Sequence, residues 1–220
     1  YSIENNGFDF LKLIPEEVIE YLSAAELEMK IVVSEDRDNF DYIYSVQDLA
    51  SLLPSHYQKK RNLSKRFMKD YPNSKIVALD LRDVLIRDKI LELFYLWERQ
   101  QSRVREDTKN ELQALTKLLM TSEFSFVSVG IFIQDTLTSF SINEVLKNHF
   151  AVTHFEKFDS QFYGVSSYLK QVTAQRLLQS GCMYLNYEQD LGIPNLRNAK
   201  ELLHPVRYLK KYTVKKITRI

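Results

Sequence analysis

Glycine is scarce, 5 of 220 residues, roughly 2% where about 7% is usual. Neither a Walker motif nor a GxGxxG run occurs. A chain so poor in glycine cannot build the backbone cradles that those phosphate sites need, which excludes kinase, P-loop and Rossmann chemistry. A single cysteine excludes a disulfide framework and a Cys-rich zinc site, and points to a reducing compartment, so a cytoplasmic location is expected. Long apolar runs are also missing. The longest, residues 124–133, is interrupted by serines and is about half of the roughly 20 residues that a membrane helix needs. No secretory h-region opens the chain. Excess charge of one sign is absent too: 30 Lys and Arg against 29 Asp and Glu leave a net +1, so a nucleic acid would have to be met by a local patch. His56, His149, His154 and His204 lie too far apart for metal-ligand spacing, and no Ser-His-Asp arrangement is visible, so neither a metal site nor a nucleophilic triad is expected.

What is present is a globular composition, 45% hydrophobic and 27% charged, able to bury a sizeable core. Helical spacing of apolar residues predicts helices over 79–99 and 106–120, neither with an internal Gly or Pro. β-branched and aromatic runs over 124–133 and 139–142, separated by a polar QDTLT turn, predict a hairpin. Strands are expected over 42–45, 151–158, 183–187 and 206–214, and helices over 18–29, 54–70 and 165–179, the last stopped by Gly181. This order gives an α+β class with a mixed α/β sheet.

A short repeat stands out. Residues 42–50 read YIYSVQDLA and residues 184–192 read YLNYEQDLG, with Gln47, Asp48 and Leu49 matching Gln189, Asp190 and Leu191. In each copy a strand precedes the motif, a basic helical stretch follows, and Tyr71-Pro72 or His204-Pro205 ends it. The offset of 142 residues is about one domain's length. The pattern predicts tandem domains, with 1–80 the C-terminal part of a first domain and 81–220 a complete second one. The first copy would lack roughly 60 residues. The chain also starts at Tyr1 rather than Met, so it reads as a fragment of a longer protein, and a partner chain or a missing N-terminal segment is expected to cover the first domain.

The stretch NYEQDLGIPNLRNAK at 186–200, followed by His204-Pro205, Tyr208, Lys210, Lys211 and Tyr212, resembles the C-terminal catalytic domain family of phosphatidylglycerol lysyltransferases, and YIYSVQDLASLLPSHYQKKRNLSKRFMKDYP at 42–72 is similar to that family's first-domain signature. The resemblance implies a tandem GNAT-like acyltransferase fold, in which characterised members move an amino acid from aminoacyl-tRNA to a lipid head group. Two departures are visible. Asn195 stands where the family usually has Gly, although Asn tolerates positive φ. The GNAT donor loop Q/R-x-x-G-x-G/A is represented by Gln161, Gly164 and Ser166, a degenerate form that fits an aminoacyl-tRNA better than the pyrophosphate of an acyl-CoA at a helix N-terminus.

Glu188, Asp190, Arg197 and Lys200 crowd into thirteen residues. Aminoacyl transfer needs a carboxylate to hold or deprotonate an amine and a cation to steady an oxyanion or phosphate, so Glu188, Arg197 and Lys200 are the catalytic candidates. Asp190 and Asp48, with Gln47 and Gln189, are read as a structural motif. The competing reading makes Arg197 a strut that fastens strand to helix through a carboxylate. The helix at 54–70 carries six cations, most on its polar arc. Lys60, Arg61 and Lys65, with Tyr163, are candidates for acceptor or RNA contact, while Lys60 alone falls within the apolar arc and must snorkel past Tyr57 or reach a groove. Phe162, Tyr163 and Tyr168 could line an acceptor pocket. The expected activity is aminoacyl-tRNA-dependent transfer to a hydroxyl or amine, with no tightly bound cofactor and with tRNA as a candidate partner. The alternatives are an acyl-CoA-dependent N-acetyltransferase and a non-catalytic binding protein on the same scaffold.

Overall fold

The computed structural model describes residues 10–21, 31–101, 106–121 and 126–216. In chain order the elements are β1 (Phe10–Pro15), α1 (Glu16–Glu20), β2 (Ile31–Glu35), β3 (Asp41–Ser45), α2 (Val46–Ser51), α3 (Gln58–Asp70), β4 (Lys75–Ala78), α4 (Val84–Gln100), α5 (Glu106–Met120), β5 (Phe126–Ile133), β6 (Thr136–Val145), β7 (Phe150–Phe158), α6 (Val165–Gln179), β8 (Tyr184–Asn186), α7 (Pro194–Glu201), β9 (Arg207–Leu209) and β10 (Lys211–Lys216). The class is α+β with a mixed sheet. Among the described residues no helix is long and apolar enough to cross a membrane.

Two compact units form, Tyr1–Tyr44 with Tyr187–Ile220, and Ser45–Asn186. The expected boundary at residue 80 therefore falls inside the second unit, where β4 is held by antiparallel pairing to β5. The second unit has strand order β4-β5-β6-β7-β8. All its neighbours are antiparallel except β7 and β8, which run parallel in register from Phe150↔Tyr184 to Val152↔Asn186. β7 continues past Val152 to Phe158. The helix α6 between β7 and β8 supplies the crossover that a parallel pair requires. On one face Ile90, Leu93 and Phe94 of α4 and Leu115 and Leu119 of α5, with Leu79 just after β4, pack against Leu137, Phe140, Ile142 and Phe155 of the sheet. On the other, α3 and α6 pack Phe67, Val165, Leu169 and Val172 against Val129 and Ile131 of β5. At about 25 cal/mol per Å² of apolar area, these two layers supply most of the unit's driving force. Lys157 of β7 is buried on the α4 side, where its ammonium sits 3.8 Å from the Trp97 ring centroid and donates to Glu111 Oε1 at 2.6 Å.

Local chemistry explains the helix starts. Asp83 caps α4 by accepting from the Leu85 N–H at 2.9 Å, and Ser45 caps α2 by accepting from the Asp48 N–H at 3.2 Å. These caps correct the expected helix at 79–99, which begins at Val84 because Asp80 to Asp83 form a turn. The hairpin is tighter than a five-residue turn: β5 and β6 are joined by Gln134 and Asp135 alone, with Gln134 at φ 55°.

The first unit holds an antiparallel sheet β1-β10-β2 and an antiparallel pair of β3 with β9. The single strand expected over 206–214 is divided: Arg207–Leu209 pairs with β3, while Lys211–Lys216 runs between β1 and β2. Only α1 and Tyr21 of the helix expected over 18–29 are described, and residues 22–30 lie outside the described residues. Tyr42, Ile43 and Tyr44 are fully buried, so the strand at 42–45 does not expose the apolar face that a truncated domain would leave. Phe10, Leu13, Val18, Tyr21 and Val32, by contrast, are exposed.

The repeat does not correspond to a shared local structure. Gln47, Asp48 and Leu49 lie in the first turns of α2, whereas Gln189, Asp190 and Leu191 lie in an irregular stretch between β8 and α7, bracketed by Glu188 at φ 57° and Leu191 at φ 55°. A helix cap and an irregular turn place the same three residue types in different roles, so the identity is no mark of duplication.

The sheet interior carries one testable cost. Ser139 Oγ is buried with no hydrogen-bond partner among the described residues, and an unsatisfied buried hydroxyl costs about 1–3 kcal/mol. Ser139→Ala is therefore expected to raise stability by about 1 kcal/mol, measured by denaturant unfolding with an unchanged m value. A loss of stability would show that the hydroxyl is satisfied in solution.

Candidate functional site

In the first unit the motif residues assemble around one carboxylate. Asp190 is fully buried. Its Oδ2 accepts from Arg197 Nε at 2.9 Å, Tyr42 Oη at 2.6 Å and Arg37 Nη1 at 3.2 Å, and its Oδ1 accepts from Arg197 Nη2 and the Gly192 N–H, both at 2.8 Å. Burial on its own would raise the Asp190 pKa. The hydrogen bonds from Arg197, Tyr42 and the Gly192 N–H outweigh it and hold the carboxyl down at about 2. Arg197 also donates to Asp38 at 2.6 Å, and the hydrogen bonds to Asp190 and Asp38 raise its pKa further. Gly192, at φ 70°, lets this turn close: a Cβ there would lie 2.8 Å from Asp38 Oδ2. Burial, then the hydrogen bond to Glu201, pushes Tyr208 beside this cluster up to about 12.

Lys200 is likewise committed. Its ammonium is buried and donates to the carbonyls of Tyr187 at 2.5 Å, Glu188 at 3.1 Å and Gln189 at 2.7 Å. Three donors on three carbonyls use the full capacity of a lysine. Glu188 enters this network through its backbone, its carbonyl also accepting from the Tyr42 N–H at 3.2 Å. The strut reading of Arg197 thus matches the geometry, and Lys200 is a clamp on the turn rather than a cation awaiting a substrate. Sequence spacing grouped these residues correctly but could not show that the charges of Arg197 and Lys200 are already spent on Asp190, Asp38 and backbone carbonyls.

In the second unit Gln161, Gly164 and Ser166 lie at the turn into α6, as the donor-loop pattern expects, with Gly164 as the N-cap at φ 87°. A Cβ on Gly164 would meet the Leu63 carbonyl oxygen at 2.4 Å, so this glycine is required by the close approach of α3. The loop is further fixed from α4: Gln100 donates to Asp159 Oδ1 at 2.7 Å and accepts from the Ser160 N–H at 3.0 Å, while the Gln161 N–H donates to Asp159 Oδ1 at 2.9 Å.

Helix α3 divides the RNA candidates. Arg61 donates to the carbonyls of Leu52 and Leu53 at the end of α2, a structural task. Lys65 is exposed. Lys60 is half-buried, and burial, then the charges of Lys170 and Lys59, lower its pKa against the opposing pull of Glu156. The nearby Lys170 pairs with Glu156. The first turn of α3 holds Lys59, Lys60 and Arg61 with no acidic residue, an arrangement adverse to the helix dipole by about 0.3–1 kcal/mol per charge. Tyr163 is 58% exposed, and Arg66 lies 5.6 Å from its ring centroid.

One group was missed by sequence reasoning. The register of β6 with β7 shifts between Ile142↔Phe155 and Asn143↔Thr153, leaving His154 as the extra residue of a β-bulge. His154 Nε2 lies 2.8 Å from Glu144 Oε2, with both side chains 28% exposed. The pair sits where β7 runs on beyond its register with β8. A scan for local histidine spacing cannot find it, because the ten-residue separation becomes a contact only through the hairpin register.

The Asp190 cluster generates two predictions. Arg197→Ala removes two of the five hydrogen bonds to a fully buried carboxylate while Arg37, Tyr42 and Gly192 stay. The expected loss is about 3 kcal/mol, the low end of the cost of breaking a buried pair, read as a fall in Tm; an unchanged Tm would contradict the strut. Because the folded pKa of Asp190 lies below its unfolded value of about 3.9, the unfolded state binds more protons in that window. Stability of about 2 kcal/mol is then present above pH 4 and is lost as pH falls towards 2. Asp190→Asn should flatten that part of the acid-unfolding curve, and a curve of unchanged shape would count against the assignment.

Comparison with known proteins follows the same architecture. The model of the family described as phosphatidylglycerol lysyltransferase, C-terminal, matches residues 7–215. A conserved protein of unknown function from Bacteroides thetaiotaomicron superposes with a TM-score of 0.87 at 26% identity, covering 98% of this chain and 72% of that one. L-PGS from Bacillus licheniformis superposes with a TM-score of 0.68 at 12% identity, covering 100% of this chain and 71% of that one, a likeness of fold. No curated protein matches the sequence. With the family model matched across nearly all of its length and with its order of strands and helices, the chain belongs to the phosphatidylglycerol lysyltransferase C-terminal family of acyltransferases.

Proposed function

We propose that this protein transfers an aminoacyl group from aminoacyl-tRNA to a hydroxyl or amine acceptor, with the second unit supplying the chemistry. The observation that carries the reading is the His154–Glu144 pair at a bulge where β7 leaves its parallel partner β8. Bulges recur beside active sites because they re-aim a side chain out of the ladder. Imidazole is suited to proton transfer near neutral pH. Coupled to a carboxylate across 2.8 Å, the pair can hold a proton in transit between two steps.

In the reaction the acceptor's amine or hydroxyl attacks the ester carbonyl of the aminoacyl group. The pair takes the proton that the nucleophile loses, the tetrahedral intermediate collapses, and the terminal ribose hydroxyl leaves with that proton. Family membership supports acyl transfer. The donor loop supports a donor other than coenzyme A, because the Leu63 carbonyl packs against the Cα of Gly164 and the Gln161 N–H is taken by Asp159.

The purified chain, given aminoacyl-tRNA and a panel of vesicle, amine and alcohol acceptors, is expected to form an aminoacylated product, and acyl-CoA is expected to be inert. His154→Gln should lower kcat by about 10²–10⁴-fold with Tm unchanged. Transfer from acyl-CoA alone would overturn the donor assignment, and wild-type turnover in His154→Gln would overturn the role of the pair.

A further inference from the structure

The first turns of α3 and the loop before α6 enclose an open pocket of about 430 Å³ lined by Gln58, Lys59, Asn62, Leu63, Arg66 and Tyr163. Tyr163 presents a 58% exposed ring with the Arg66 guanidinium carbon 5.6 Å from its centroid. Lys59 adds a second cation, and Gln58 and Asn62 add two carboxamides, each with donors and an acceptor. Leu63 gives the pocket an apolar wall, and its carbonyl is the one against which Gly164 packs. The pocket is therefore built on a rigid contact between two elements. Asp70 is the carboxylate that faces Arg66, accepting from its Nε at 2.9 Å and leaving the two terminal nitrogens of the fork for another acceptor. The helix as a whole carries six cations and one acid, a local excess of five in a chain whose net charge is +1.

We propose that this pocket binds a nucleotide unit of the donor, with the base on the Tyr163 ring, the phosphate between Lys59 and Arg66, and the base edge or ribose held by Gln58 and Asn62. The chemistry is that of single-stranded nucleic-acid sites, in which an exposed aromatic gives stacking without strong sequence preference and cations track the backbone. A phosphate flanked by an arginine fork and a lysine satisfies charges that otherwise repel along one helix. Both an RNA strand and coenzyme A carry such a unit, and the proposal rests on the transferase reading only in taking the ligand to be part of the donor.

The test is a fluorescence-anisotropy titration of the full chain with a short single-stranded RNA ending in CCA, with coenzyme A and with inorganic phosphate as competitors. Tyr163→Ala and Arg66→Ala are each expected to weaken RNA binding at least fivefold, the low end of what one base–aromatic stack contributes. Tyr163→Phe should bind as wild type. Lys59→Ala should weaken binding and reduce the salt slope by about one. Competition by coenzyme A that is lost in the same variants would identify the coenzyme as the source of the nucleotide, and RNA binding without that competition would identify RNA. Competition by inorganic phosphate as effective as by either would overturn the proposal, because it would mean a simple anion patch. Equal binding by Tyr163→Ala and wild type would also overturn it. Donor KM in the transfer assay separates the two readings. Active transfer with unchanged donor KM in Tyr163→Ala defeats the pocket alone, whereas pocket-dependent binding without any transfer defeats the transferase reading alone.

Discussion

The first unit depends on one buried negative charge. Asp190 is out of contact with solvent, and a carboxylate in that position is tolerated only when its oxygens are fully hydrogen-bonded. The partners come from four separated stretches: Arg37 from the turn after β2, Tyr42 from β3, Gly192 from the turn itself and Arg197 from α7. The two arginines are each fixed by a further contact, Arg37 with Glu201 at 2.9 Å and Arg197 with Asp38 at 2.6 Å. Lys200 then closes the turn from beneath by taking three successive carbonyls. The most conspicuous charge cluster of the sequence is thereby a device that orders an irregular turn with two residues other than glycine at positive φ. Its charges balance internally.

The second unit solves a different problem, that of presenting an uneven strand edge on a rigid base. The sheet is covered on both faces by helices, so β7 is fixed by apolar layers above and below. The parallel pairing with β8 ends at Val152. The bulge at His154 redirects that side chain towards Glu144. The loop that follows β7 is held by Gln100, Asp159 and the contact of Gly164 with Leu63. Side chains on such supports are held by packing and supporting hydrogen bonds, which is the preorganisation that the proposed transfer chemistry needs.

Much of this architecture was legible in the sequence. Helical periodicity marked α4, α5 and α6, and the alternation of β7 and the polar break before β6 marked the sheet, because these signals are local. The family resemblance of residues 186–200 was legible for the same reason. What could not be read was partnership at long range. Arg197 looked like a catalytic cation, although Asp190 was readable as structural, because Arg37 and Asp38, which complete the coordination of Asp190 and Arg197, lie about 150 residues away. His154 looked isolated because only the hairpin register joins it to Glu144. The matching Gln-Asp-Leu triplets misled in the opposite sense: Ser45 turns the first into a capped helix, while the carboxylate of Asp190 organises the second. Identical residues acquired different structures from their neighbours.

The central claim is that transfer chemistry belongs to the β7 edge while the Asp190 cluster serves folding. The most direct measurement is a crystal structure with a stable amide analogue of an aminoacyl-adenosine. The account predicts the analogue's carbonyl beside β7 beyond Val152, within about 3 Å of the His154–Glu144 pair, with the contacts of Arg197 to Asp190 and Asp38 unaltered. A carbonyl held by the Arg197 guanidinium, with Asp38 or Asp190 displaced from it, would contradict the account.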